Sequence, residues 1–205
     1  MISLHMDVNN IKQNKMKKYI LLLFAATIVA GAKGQANYYN GQIIYIDPTL
    51  SFECKNDGYG VILKNPNDPV FTPSEMYPAK IDRESAQGMA KRNMHYLSNQ
   101  AFLDAFHETF TSAELAAMAD SKMVIGMTMN NQGNAVRLYM IFFNSYPYYF
   151  TIPPAKYATL YKKLKSYVKV KVLYPQINYF GGSATIKIND VIANRQLLPD
   201  YFYAK

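Results

Sequence analysis

The stretch MVIGMTMNNQGNAVRLYMIF, residues 123–142, decides the fold. Met123, Ile125, Met127 and Met129 recur at every second position. After Asn130-Asn131-Gln132-Gly133-Asn134, the set Val136, Leu138, Met140 and Phe142 does so again. A period of two lines one face of a strand, and the break between the runs has turn chemistry. These residues predict an antiparallel hairpin with one apolar face. Arg137 and Tyr139 fall on the other.

Toward the C-terminus, Pro153-Pro154 opens a helix whose stripe is Tyr157, Leu160, Tyr161, Leu164 and Val168, with Lys156, Lys162, Lys163 and Lys165 around it. Val168, Val170, Val172 and Tyr174 then alternate with Lys169 and Lys171, which predicts a strand over 168–174. Ile186 and Ile188 flank Lys187 in a last strand after Gly181-Gly182. Upstream of the hairpin, Thr111 and Glu114 form a capping box. Residues 82–110 read as two helices, capped by Asp82 and by Ser98 or Asn99, with Phe102, Phe106 and Phe110 aligned on one face. Short β-like runs at 42–46, 50–53 and 60–63 are separated by Asp- and Asn-rich turns, and 73–78 reads as an extended loop. The predicted architecture is α+β: an antiparallel sheet with packed helices. A strand-and-turn segment at 37–80 forms one continuous domain with 81–205.

The N-terminus predicts export. Met16-Lys17-Lys18 is a basic start, Tyr19 to Ala30 is an apolar core, and small residues follow at 31–36. This is the layout of a signal peptide at 16–36, cleaved after Ala36, Gly34 or Ala32, with residues 1–15 a gene-start extension. The apolar core is shorter than a membrane span, so no span is expected once the signal is removed. A single Cys excludes a disulfide scaffold. Export argues against nucleic acid as a partner, although the formal charge is +8. That charge is unevenly spread: no acidic residue lies between Asp120 and Asp190.

The helix, strand, turn, strand, helix, strand order over 112–174, with MVIGMTMNNQGNAVRLYMIF followed by TIPPAKYATLYKKLKSYVKVKV, resembles the C-terminal domain of TonB. The chain also resembles the small exported proteins of unknown function of Gram-negative gut bacteria. The resemblance implies a periplasmic or cell-surface location. It also implies a fold that in TonB binds an extended peptide by strand addition, and it transfers no functional residues. The chain departs from a TonB transducer in its cleavable-looking leader and its lack of a Pro-rich spacer.

Two residues invite a catalytic reading. His107 stands three residues after Asp104 on a predicted helix, and Cys54 is the chain's one thiol. Neither sits in a recognised nucleophile, acid–base or metal-ligand spacing, so no catalytic residue, metal site or cofactor is predicted. The basic C-terminal half is more informative. If the strand at 168–174 pairs with the hairpin, Arg137, Tyr139, Lys169 and Lys171 share one surface, suited to an acidic glycan or an envelope protein. The sequence thus predicts an exported, non-enzymatic binding or interaction module of the cell envelope, with a small envelope hydrolase using Cys54 or His107 as the alternative.

Overall fold

The computed structural model describes Tyr39 and residues 43–197 apart from 49, 57, 95 and 96. The predicted extension at 1–15 and signal peptide at 16–36 lie outside the described residues, as does His95. The hairpin forms as β4 (Lys122–Asn130) and β5 (Ala135–Phe143). Met123 stands opposite Phe142, Ile125 opposite Met140, and Met127 opposite Leu138, and all six are buried. The Asn130 side chain accepts the N–H groups of Gln132 and Asn134, at 3.1 and 3.0 Å, which closes the turn. Gly133 has φ +80°, and a Cβ there would collide with the Val170 carbonyl.

The rest of the sheet grows from this pair. On β5 lies β3 (Gly60–Lys64), followed outward by β2 (Leu50–Asn56) and β1 (Ile43–Asp47). On β4 lies β6 (Tyr179–Lys187). The order is β1-β2-β3-β5-β4-β6, with antiparallel neighbours throughout.

The helices are α1 (Pro73–Met76), α2 (Arg83–Met94), α3 (Asn99–His107), α4 (Ser112–Ala117), α5 (Pro154–Tyr167) and α6 (Ile188–Ile192). Ser98 caps α3, and Thr111 and Glu114 form the expected capping box at α4. The segment expected as an extended loop at 73–78 instead holds α1, because Thr72 and Glu75 form a second capping box around Pro73 at the first turn. From α5, Tyr157 packs its ring 4.4 Å from that of Phe142, and Tyr161 meets Phe52 at 5.6 Å. Phe102 and Phe106 of α3 are fully buried in the same core. Burying each such ring stabilises the fold by roughly 1.5–3 kcal/mol.

Asp68 explains where the β3 ladder on β5 stops. The β3 ladder on β5 ends at Lys64 opposite Tyr139. Beyond it, the Asp68 carboxylate takes the Leu138 N–H at 3.0 Å, while Lys165 donates to the Val136 carbonyl at 3.0 Å. Asp68 also accepts from the Tyr161 hydroxyl at 2.6 Å and from Lys165 at 2.9 Å. Side chains have therefore taken the edge that a further strand would need. The strand predicted at 168–174 does not form: its one bridge is Lys169 with Asn134, and the Asn93 side chain accepts the N–H groups of Leu173 and Tyr174. The last strand begins earlier than predicted and contains Gly181 and Gly182 within it.

Asp68 has only 4% of its side chain exposed. Asp68→Ala should lower the unfolding free energy by about 2–4 kcal/mol, because it takes the acceptor from the Leu138 N–H and from the buried Tyr161 hydroxyl. Urea unfolding measures this, and a loss below about 0.5 kcal/mol contradicts the assignment.

Candidate binding surface

The alternation that buries one face of the sheet exposes the other. On the face that no described helix covers, Lys55, Ile62, Ile141, Val124 and Thr185 form one row across β2, β3, β5, β4 and β6. The next row is Ile43, Glu53, Lys64, Tyr139, Gly126 and Ser183. None of these is buried except Gly126, over which the Tyr139 ring lies so closely that a Cβ would overlap it. The hydroxyl end of the ring thus occupies the space over Gly126 on this face.

The charge on this face is nearly all positive. Lys55, Lys64, Lys122, Arg137 and Lys187 contribute cations, and Glu53 is its one described acid, paired with Lys64 at 3.0 Å. Lys122 and Lys187 stand directly opposite each other across β4 and β6, and neither has an ion-pair partner among the described residues. The Lys122 ammonium sits 5.7 Å from the centre of the Phe143 ring. Like charges facing each other across a ladder are destabilising.

Of the residues singled out from sequence, Arg137 and Tyr139 lie on this face in β5, both half-buried. Lys169 is exposed, and its bridge to Asn134 places it beside the start of β5. Lys171 is exposed two residues further on. The predicted ladder joining those lysines to the hairpin is replaced by that single bridge. Lys55, Lys122 and Lys187 were not singled out, since their placement depends on strand order. The one available signal was Lys187 set between two isoleucines.

The hydrolase alternative rests on Cys54 and His107. Cys54 is 1% exposed on the core face, and burial pushes its thiol up to about 12. That removes both access and thiolate character. His107 is exposed at the end of α3, with Nε2 3.0 Å from the Asn194 side-chain oxygen. Asp104 accepts from Gln100 at 2.7 Å. Among the described residues no His, Cys, Asp and Glu group is arranged to hold a metal ion, and no helix is long and apolar enough to cross a membrane.

No protein-family model matches the chain. No curated protein matches it. Among solved structures, it is similar to a DUF5043 family protein from Bacteroides uniformis, with a TM-score of 0.48 and 19% identity, over 73% of this chain and 86% of that one.

Burial raises the proton affinity of Cys54 and also of the Tyr149, Tyr157 and Tyr161 phenols. An unfolded thiol titrates near 9.0, so between that pH and about 12 the unfolded chain releases a proton that the fold retains. Stability is therefore fully present below the unfolded value and falls as pH rises through this window, with the phenols adding to the slope. Urea midpoints should be level near neutrality and decline above about pH 9, less steeply in Cys54→Ala. A midpoint unchanged across that window contradicts the burial of these groups.

Proposed function

We propose that the protein is an exported, non-enzymatic binding module of the cell envelope that holds an acidic glycan on the face of its sheet that no described helix covers. The observation that carries this reading is the facing pair Lys122 and Lys187, unneutralised beside Phe143. An anion between the two ammonium groups relieves a repulsion that the fold otherwise bears. Tyr139, placed over Gly126, adds an aromatic ring for contact, and Arg137 adds a further cation. A flat face several strands wide suits a linear polymer better than a small molecule, which calls for a concave site. Export to the periplasm or cell surface is part of the proposal, and the basic and apolar pattern at 16–36 supports it.

The test uses polygalacturonate as the acidic polymer. Binding should weaken steeply as salt rises, because the contacts are screened surface charges. Lys122→Glu should weaken binding by about tenfold or more while raising the unfolding free energy by roughly 0.5 kcal/mol, since it turns a repelling pair into an attracting one. Binding that is indifferent to salt and to this variant overturns the proposal. Salt-sensitive capture of an envelope protein with no polygalacturonate binding replaces the glycan with a protein partner.

A further inference from the structure

A groove of about 580 Å³ lies between α2 and β6. That volume falls within the range of small-molecule sites, roughly 300–1,000 Å³. Gln87, Ala90, Lys91 and Met94 recur at i, i+3, i+4 and i+7, so one stripe of α2 forms its wall. On the strand side Gly181 and Gly182 carry no side chain, and the groove reaches past them to Met127 on the core face and Tyr139 on the other. From Gln87 to Met94 it follows roughly 10 Å of α2 at the helical rise. Lys122 and Lys187 lie at the other end of the β4–β6 ladder.

The lining has two chemistries. Ala90, Met94 and Met127 are buried, and Met76 joins them. The three methionines are unbranched and flexible, so this wall adapts to a flexible aliphatic chain. Gln87 and Lys91, one helical turn apart, are exposed and make the rim polar, with Thr128 across from them on β4. Among the described residues Lys91 is the one charged member of the lining, so the groove carries a cation and no carboxylate. The strand edge adds donors. Antiparallel strands point their backbone groups to alternate sides from one residue to the next. The Leu138 N–H goes to Asp68, away from β4, so Tyr139 and its opposite residue Gly126 bond to each other. Ser183, opposite Gly126, then directs its N–H away from β4, as does Gly181 opposite Thr128. Neither N–H has a partner among the described residues.

We infer that this groove binds a medium-chain fatty acid, a single carboxylate on a flexible aliphatic chain. The carboxylate takes a charge-assisted hydrogen bond from the Lys91 ammonium and a second from an outward N–H of Gly181 or Ser183. The chain lies on Ala90, Met94 and Met127, which removes apolar surface from water on both sides. A neutral hydrocarbon makes no use of Lys91, and a sugar makes none of the methionines. An elongated groove bordered by adaptable thioethers also suits a linear chain better than a rigid ring system.

The test is titration calorimetry of the folded protein with decanoate, kept below its micelle concentration, and with neutral decanol. Decanoate should fill one saturable site and bind more tightly than decanol. Lys91→Glu should weaken decanoate by about tenfold or more, because it replaces an attracting charge with a repelling one, and should leave decanol unchanged. Ala90→Leu puts a larger apolar side chain into the groove and should weaken both probes, with the thermal midpoint retained. Absence of saturable decanoate binding, decanoate affinity unchanged by either variant, or decanol bound as tightly as decanoate overturns the inference. Lys122→Glu should keep decanoate binding while losing polygalacturonate, and Lys91→Glu the reverse, so failure here is distinguishable from failure of the glycan reading.

Discussion

The pleat of the β4–β5 hairpin constrains everything built on it. Successive side chains must go to opposite faces, so placing Met123, Ile125, Met127, Leu138, Met140 and Phe142 inward forces Lys122, Val124, Arg137, Tyr139, Ile141 and Phe143 outward. A one-residue slip would exchange the two sets and bury the cations, which makes this register costly to leave. Helices gather where the aromatic and methionine side chains are, and no described helix packs on the other face. Its apolar residues Ile62, Val124 and Ile141 are half-buried.

Among the described residues the cations of the face, with one paired acid among them, oppose the packing of an apolar helix there. β6 ends the strand order, with no described strand on its outer side. On the opposite side of the hairpin, Asp68 and Lys165 satisfy the backbone of β5 where β3 ends, so no strand is missing there. The strands at the ends of the sheet are β1 and β6.

Much of the fold was legible because its signals are local. The hairpin alternation, the Thr111–Glu114 box, the Ser98 cap and the stripe of α5 each sit within a few residues of sequence. The short helix α1 was missed although Thr72, Pro73 and Glu75 carry the same capping chemistry as Thr111 and Glu114. The strand misplaced at 168–174 failed for a non-local reason: Val168, Val170 and Val172 alternate well, yet no ladder position was free for them. Residues that need a partner strand cannot be placed until the order of strands is known. For the same reason Arg137 and Tyr139 could be assigned to the outward face, whereas the confrontation of Lys122 with Lys187 depends on β6 pairing with β4.

Lysine acylation with and without saturating polygalacturonate, read residue by residue by mass spectrometry, tests the central claim most directly. Lys55, Lys64, Lys122 and Lys187 should be protected together. Lys156 and Lys163 serve as references, because they lie on α5 and pair with Glu114 and Glu108. Protection confined to the sheet-face lysines is the predicted result. Equal protection of the α5 lysines, or none at Lys122 and Lys187, contradicts the account.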